Sequence, residues 1–389
     1  MNQILWHRVL ALALLLPSSR LFAQADDGHE NFKPANPPAM KPISSHDTPA
    51  YRAAKNFQHG VNLGDYLEAG RWGVKISTDE FAAMQREGFD HVRVPVGWQR
   101  YAGPAPDFTL SPEIFARVDF AVTNTLAKKM AVIINIHHFE ALDENPVKAT
   151  EEFLKIWRQI AAHYQDFPAQ LAFELDNEPH QNATTELMNP IYARAIAEIR
   201  QTNPHRTLFV EPGGWGRISE LKNLVLPTDD NVIVSVHCYE PFFFTHQGAG
   251  WVGADFKQTG FQFPGPPSQP LVPDAKLQPK NYVLDRIEKY NTLPADKNPS
   301  SATAFADKLK YVSAWSDFYG RPAHLGEFGA FTKADAQSRA NFYEAFRRTA
   351  EKEKLGWCLW DWSASFRYWD KAASQPMPGM RAALFGKTP

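Results

Sequence analysis

The chain contains very little cysteine. Of its 389 residues, only Cys238 and Cys358 carry thiols. A disulfide framework needs several pairs of cysteines, and zinc or thioredoxin-type sites are marked by C-x-x-C spacing, which is missing here. We therefore expect two buried free thiols, and the sequence excludes a small disulfide-stabilised scaffold.

An excess of one charge is missing as well. The chain has 41 Lys and Arg against 43 Asp and Glu, a formal net charge of −2, whereas nucleic-acid binders carry a basic excess or a basic stripe. The apolar run of residues 9–16 is far shorter than the ~20 residues that span a bilayer. We expect no nucleic-acid partner, and no membrane partner once the N-terminal segment is removed.

That segment has the order of parts typical of a secretory signal. His7 and Arg8 precede the apolar run, and Ala23-Gln24-Ala25 gives a small-x-small cleavage pattern. The sequence predicts a signal peptide over residues 1–25 and a secreted or periplasmic monomer. Residues 26–50 are polar and proline-rich, a composition that buries too little apolar surface to offset chain entropy, so we expect a flexible linker there.

From residue 57 onward, short apolar runs alternate with amphipathic segments of helical period. The apolar runs that qualify as strands begin at Phe57, His91, Ala131, Leu171, Thr207, Asn231, Pro322 and Gly356. This alternation predicts an α/β fold, a single (β/α)8 TIM barrel over residues 51–389. A doubly wound sheet would show about six strands and a G-x-G-x-x-G first turn, whereas the first turn here reads GVNLGDYLEAG.

The active site of such a barrel lies at the C-terminal ends of the strands. The polar or aromatic residues that close the apolar runs are Arg93, His137, His138, Asn177, Glu178, Glu211, His237, Tyr239, Glu240, Glu327, Trp360 and Asp361. A guanidinium inside an apolar strand needs an anionic partner, which facing carboxylates can supply. We expect His138 to face away from the site, because neighbouring strand residues point to opposite faces.

Two carboxylates on one rim, flanked by aromatic residues, suit glycoside hydrolysis. The segments ELDNEPH around Glu178, SVHCYEP around His237, LGEFG around Glu327 and LWDW around Trp360 resemble the signature segments of glycoside hydrolase family 5, the large cellulase family of clan A. Asn-Glu-Pro alone is a weak match. Asn-Glu-Pro at the end of the fourth strand, together with His-x-Tyr at the end of the sixth and Glu at the end of the seventh, is a specific combination. The resemblance covers the chain from about residue 57 to the C-terminus.

The resemblance implies a retaining double displacement, with Glu178 as general acid/base and Glu327 as nucleophile. It also implies substrate-binding or orienting roles for Arg93, His137, Asn177, His237, Tyr239 and Trp360, with Asn177 on the sugar 2-hydroxyl and Trp360 beneath the sugar. Two ionised carboxylates ~5 to 5.5 Å apart repel each other, and this repulsion raises the pKa of one of them. We therefore expect Glu178 to hold a proton while Glu327 stays ionised beside Arg93. No cofactor and no metal are implied.

Tryptophans at strand ends or in the following loops indicate the substrate. They are Trp72, Trp98, Trp215, Trp251, Trp360 and Trp362. Flat aromatic faces with few cations suit a neutral β-linked glucan, and we favour internal cleavage of a β-1,4-glucan. The resembled family also uses mixed-linkage glucan, xyloglucan, β-1,3-glucan and mannan. The opening HGVNLGDYLE and the long connection at residues 241–300 leave exo action on β-1,3-glucan or short glucosides open.

Two rival interpretations come from other classes. A metal-dependent amidohydrolase could use His137, His138, His237 and His324, but it would want a His-x-His on the first strand, which offers only His59. A glycan-binding barrel without catalysis is the second. Glu211, Glu240 and Asp361 could replace either catalyst, but the resemblance gives them no such role, and we expect them to support the catalytic groups or contact sugar.

Overall fold

The strands form one closed parallel barrel in chain order, with β1 beside β8. The computed structural model describes residues 31–69 and 73–386, so the predicted signal peptide and Trp72 lie outside the described residues. The strands are β1 His59–Asn62, β2 His91–Val94, β3 Ala131–Asn135, β4 Leu171–Glu174, β5 Leu208–Val210, β6 Val232–His237, β7 Ala323–Phe328 and β8 Gly356–Leu359. The predicted TIM barrel is confirmed.

Helices alternate with the strands. They are α1 Pro49–Ala54, α2 Thr78–Glu87, α3 Pro112–Ala127, α4 Glu140–Glu144, α5 Pro146–His163, α6 Thr185–Arg200, α7 Gly213–Gly216, α8 Phe242–Thr245, α9 Asn281–Thr292, α10 Thr303–Tyr319, α11 Ala336–Lys352 and α12 Met380–Phe385. Helix α2 begins where its sequence predicts, because the backbone N–H of Ser77 donates to the Glu80 carboxylate at 2.8 Å. Among the described helices, none combines the length and apolar character that crossing a bilayer requires.

The side chains inside the barrel form layers, and the upper, polar layer lies where the candidate site is expected. Alternate strand residues point inward. The lower layer is mostly apolar and also contains the buried rings of His91 and His324, which pack against Phe57 and Phe209. Its apolar members, with α1, are Ala50, Phe57, Ala131, Ile133, Ala172, Phe209 and Ile233. Above it lies a polar layer that includes Asn62, Arg93 and Glu174, all completely buried. Asn62 is in register with Arg93, and Arg93 with Ile133 of the apolar layer, so the two layers are in direct contact.

The long connection after β6 is packed rather than open. It contains α8, two short 3-10 helices and α9. The buried amide of Gln247 holds it together by donating to the carbonyls of Phe244 and Phe261 and by accepting the N–H groups of Gly260 and Phe261 at 2.8–3.1 Å. This connection therefore forms a fixed wall on the β6 side of the barrel.

The described part of the segment predicted to be a flexible linker contacts helix α10. Phe32 lies against the rings of Tyr311, Phe318 and Tyr319 of α10 at 5.4–6.3 Å. The N–H of Ile43 donates to the Tyr319 carbonyl at 2.9 Å. Gly320 has φ +63, and a Cβ there would lie 2.0 Å from the Ile43 oxygen, so only glycine permits the approach. Composition missed these contacts because a few well-placed apolar residues suffice to dock a polar segment.

We predict that Phe32→Ala lowers the free energy of unfolding by about 2 kcal/mol, because it removes a partly buried ring packed on three others. Urea unfolding of the purified protein measures this. Lys33→Ala, an exposed neighbour, is the control and should change the midpoint little. Equal midpoints for Phe32→Ala and the unaltered protein would show that docking of this segment contributes nothing to stability.

Candidate active site

A completely buried guanidinium, that of Arg93, lies at the centre of the catalytic end of the barrel. It donates to both oxygens of Glu174, through Nε at 2.8 Å and Nη2 at 2.6 Å. Nη1 donates to Glu327 and to Asn62, each at 2.8 Å, and Nη2 to Asn177 at 2.6 Å. The facing carboxylates expected from the sequence are therefore present, and they raise the pKa of Arg93 despite the opposing effect of burial.

Three of the residues around Arg93 were not identified from the sequence. Glu174 ends β4 inside an apolar run, and Asn135 ends β3 and donates to its Oε1 at 2.8 Å. Asn62 ends β1 and anchors the guanidinium to the barrel by donating to the carbonyls of Gly326 and Leu359. The available signal was a polar residue inside each of these apolar runs, the same signal that singled out Arg93.

Glu178 and Glu327 face each other across the mouth of the barrel. Their nearest carboxylate oxygens and a nitrogen of His237 all lie within 4.8 Å of one another. His237 Nδ1 is 2.7 Å from Glu178 Oε1, and Nε2 is 2.9 Å from Glu211 Oε1. The hydroxyl of Tyr239 donates to Glu327 Oε2 at 2.6 Å. The structure thus brings the two predicted catalytic carboxylates together, with His237 and Tyr239 in contact with them.

The surroundings of the two carboxyl groups shift their pKa values in opposite directions, with the pKa of Glu178 lowered and that of Glu327 raised. Burial raises the pKa of Glu327 to about 7, although the charges of His237 and Arg93 lower it. Burial also opposes ionisation of Glu178, but the hydrogen bond and charge of His237 lower the pKa of Glu178 overall. Burial disfavours a charge on His237, yet the carboxylates of Glu211, Glu327 and Glu178 raise its pKa well above the ordinary value. The expectation considered the two carboxyl groups and Arg93, and left out the imidazolium of His237 between the carboxyl groups.

The remaining predicted sugar-contacting residues lie on the same rim. Asn177 is buried beside Arg93. The rings of His137 and Trp360 are parallel within 9°, with their centroids 5.9 Å apart. Burial lowers the pKa of His137 well below the ordinary value, so this imidazole is neutral. Trp360 is half-buried and leaves part of its ring accessible to a ligand.

His138 does not lie where the sequence predicted. Strand β3 ends at Asn135, so the alternation of strand faces does not extend to residue 138. With a left-handed φ of +57°, the exposed His138 stands beside His137, their ring centroids 4.3 Å apart. It belongs to the rim of the site rather than to the opposite face.

The three spare carboxylates have local partners. Glu211 is completely buried and accepts the backbone N–H of Glu178 at 2.8 Å. Asp361 accepts the backbone N–H groups of Ala364 and Phe366 and so folds the loop after β8, while Glu240 accepts that of Phe242. Burial raises the pKa of Asp361 to about 7. Their positions fit supporting roles.

The tryptophans divide into core and rim. Trp98 and Trp362 are completely buried, and their indole N–H groups donate to the Asn135 carbonyl and to Glu80. Trp215 is half-buried, and Trp251 is 59% exposed on the connection after β6. Trp215, Trp251 and Trp360 are therefore the described tryptophans of the six that keep ring surface for a ligand.

The ligand set proposed for an amidohydrolase is not assembled. The His324 ring lies deep in the barrel, 5.1 Å from that of His91. Within residues 31–69 and 73–386, the group close enough to hold a metal ion consists of Glu178, His237 and Glu327, already hydrogen-bonded among themselves or to Arg93 and Tyr239. The first strand contributes Asn62 to the site, not a pair of histidines.

Comparisons with known proteins give a consistent result. A family model for cellulases, glycosyl hydrolase family 5, matches residues 52–366. Endoglucanase H from Acetivibrio thermocellus is 26% identical over 330 residues, which are 84% of this chain and 31% of that protein. The chain spans between 31% and 51% of the length of the first three curated relatives it matches.

Solved structures agree over nearly the whole barrel. Endoglucanase Cel5A from the hyperthermophilic Thermotoga maritima is 32% identical with a TM-score of 0.75, over 87% of this chain and 100% of that chain. A structure of Thermotoga maritima Cel5A with mannotriose is also 32% identical, with a TM-score of 0.75, over 86% of this chain and 100% of that chain.

We predict that Glu174→Gln lowers the free energy of unfolding by about 3 kcal/mol, because it leaves the buried Arg93 without its bidentate carboxylate. Chemical denaturation measures the loss. The matched control is Glu151→Gln, which removes the carboxylate of an exposed pair with Arg194 and should cost less than about 1 kcal/mol. Equal losses for the two variants would contradict the central role assigned to the Arg93 pairing.

Proposed function

The chain belongs to glycosyl hydrolase family 5, the cellulase family, and from this premise we propose that it is a retaining endo-β-1,4-glucanase. The observation that carries the proposal is the pair Glu178 and Glu327, with oxygens within 4.8 Å of each other across the mouth of the barrel. Retaining glycosidases need carboxyl groups ~5 to 5.5 Å apart, whereas inverting ones need ~6.5 to 9.5 Å. The endoglucanase names of the relatives support the substrate class.

In the first step, Glu327 attacks the anomeric carbon while Glu178 protonates the leaving oxygen. Arg93 and Tyr239 hold the two oxygens of Glu327 from different sides, which orients the nucleophile and stabilises its ionised form. The bond from the anomeric carbon to the leaving oxygen breaks as the glycosyl ester forms. Water then attacks the ester, Glu178 takes the proton of that water, and Glu327 is released.

The proton for the leaving group comes from the pair of Glu178 and His237. The two groups are 2.7 Å apart, so a proton resting on His237 in the free enzyme is within direct reach of Glu178 when the leaving oxygen needs it. Esterification of Glu327 removes one of the negative charges that hold His237 protonated. The same pair then acts as the base toward water.

Sugar recognition follows from groups that the network leaves available. The amide oxygen of Asn177 accepts from Arg93, which leaves its NH₂ group to donate to the sugar 2-hydroxyl. Trp360 supplies the surface beneath the sugar, and the neutral His137 supports it. The exposed Trp251 suits a neutral glycan that extends beyond the catalytic subsite.

The alternatives from the sequence become outcomes of one experiment. Product release by the purified protein is measured on barley β-glucan, carboxymethylcellulose, xyloglucan, laminarin and mannan. An oligosaccharide ladder from the β-1,4-glucans supports the proposal; a ladder from mannan alone would make it a mannanase, a possibility raised by the mannotriose complex of the Thermotoga maritima enzyme. Monosaccharide alone would indicate exo action. Tight glycan binding without products would indicate a noncatalytic barrel.

Export is part of the same proposal. A polymeric glucan is degraded outside the cytoplasm, and residues 1–25 have the pattern of a secretory signal. N-terminal sequencing of the exported protein should begin at Asp26, and its elution volume should correspond to a monomer.

We predict that Glu327→Gln abolishes turnover of every substrate, because an amide cannot form the glycosyl ester. Glu178→Gln should lower kcat/KM on cellotetraose by at least about 10²-fold, yet should change kcat/KM on 2,4-dinitrophenyl β-cellobioside little, since that leaving group needs no proton. Steady-state kinetics on both substrates measure the split. Cleavage of cellotetraose by Glu178→Gln at the unaltered rate would contradict the acid assignment.

We predict that Tyr239→Phe moves the acidic limb of the kcat/KM profile to higher pH by about one unit. The Tyr239 hydroxyl lowers the pKa of Glu327, which burial raises to about 7. Its loss raises that pKa further, so Glu327 becomes the ionised nucleophile only at higher pH. Tyr101→Phe, which loses a hydroxyl bonded to Arg117 outside the site, is the control and should keep the original profile. An acidic limb that stays in place or moves to lower pH would contradict this role.

A further inference from the structure

The loop that carries Glu178 is fixed by a histidine two residues further along the chain. His180 Nδ1 lies 2.8 Å from the carbonyl oxygen of Glu178 and 3.2 Å from Asp143 Oδ1. The backbone N–H of His180 donates to the same Asp143 oxygen at 3.0 Å. Because both neighbours of Nδ1 are acceptors, Nδ1 carries a hydrogen and donates it.

This hydrogen bond fixes the peptide unit between Glu178 and Pro179, which can be hydrogen-bonded in no other way. Residue 179 is a proline, so the peptide bond after Glu178 has no N–H and can be anchored only through its carbonyl. Glu178 itself has a left-handed φ of +50°, a conformation that a non-glycine residue keeps only when its surroundings impose it. Its N–H donates to Glu211 and its carbonyl accepts from His180, so both sides of the residue are fixed.

The ring of His180 also stacks on the ring of Trp215. Its ring and that of Trp215 are 4.5 Å apart and within 22° of parallel. The N–H of Trp215 donates to the Pro179 carbonyl at 3.1 Å, which ties the loop after β5 to the loop of Glu178. A general acid protonates the leaving group, so the leaving-group side of the cleft is the side on which Glu178 and this stacked pair lie.

We propose that His180 is a positioning residue with two separable tasks. Its Nδ1–H orients the acid/base Glu178 through the carbonyl of that residue, and its ring backs Trp215 as the stacking surface for the leaving-group sugar of a β-glucan. The role rests on the proposed function. Through His180, binding of the leaving-group sugar on Trp215 and correct placement of Glu178 are linked, so each favours the other.

Two substitutions separate the tasks. His180→Asn keeps a donor near the position of Nδ1 and removes the ring, whereas His180→Phe keeps a ring and removes the donor. On cellotetraose, His180→Phe should lower kcat by about 10²-fold with little change in KM, because a misplaced acid affects the transition state alone. His180→Asn should raise KM several-fold and keep kcat within about threefold, because it removes binding common to ground and transition states.

A second substrate distinguishes positioning from damage to the fold. On 2,4-dinitrophenyl β-cellobioside, which needs no acid for its first step, kcat/KM of His180→Phe should stay within about twofold of the unaltered enzyme. The matched control is His163→Phe. His163 also faces a carboxylate, Asp119 at 3.0 Å, and stacks on a ring, Phe115 at 4.3 Å, but it lies on the outer helix α5. It should leave both substrates unaffected, and thermal unfolding should show all three variants folded.

The outcomes separate this role from the proposed function. Equal losses of His180→Phe on both substrates, or no loss on cellotetraose, would overturn the positioning role while the unaltered enzyme still turns over both. If the unaltered enzyme cleaves neither substrate, the proposed function is overturned and this role with it. The opposite split, with kcat lost in His180→Asn and retained in His180→Phe, would assign the effect to the ring rather than to the donor.

Discussion

The charge of one buried guanidinium sets the arrangement of the catalytic end of this barrel. Arg93 cannot remain ionised in an apolar interior unless anions surround it. Strands β4 and β7 provide Glu174 and Glu327, and Glu211, just after β5, lies at 3.4 Å. The same donors fix the amide of Asn177. The nucleophile Glu327, the amide of Asn177 and the supporting carboxylates are therefore all positioned by Arg93. A shift of one of their strands would displace the other groups as well.

The positive charges of Arg93 and His237 also influence which carboxyl groups of the site are protonated. Considered alone, two facing carboxyl groups would divide into one acid and one carboxylate. His237 lies between them and Glu211, and Arg93 holds the far side of Glu327, so four carboxyl groups share two positive groups. The division of labour is thus a property of the whole cluster. A proton shared across the 2.7 Å contact of His237 with Glu178 serves both halves of a retaining reaction.

The sequence predicted what depends on local pattern. Alternating apolar and amphipathic segments specify the barrel, and polar residues at strand ends identify the rim, because both follow from one strand or helix at a time. Glu174, Asn62 and Asn135 escaped because their role appears only when strands distant in sequence align their ends around Arg93. His138 was misplaced because β3 ends at Asn135, three residues before the assumed end at His138. Docking of Phe32 depends on rings almost 280 residues away, which composition does not encode.

The position of the docked N-terminal segment also determines where a fused domain or tag would be joined to the barrel. From Phe32 the chain follows the C-terminal half of α10 and then enters α1, beneath the apolar layer that closes the barrel opposite the cleft. A carrier domain or an immobilisation tag joined ahead of Phe32 therefore leaves from the flank of the barrel, away from the mouth. Enzyme tethered to a surface by that end would present an unobstructed cleft to a polymer arriving from solution.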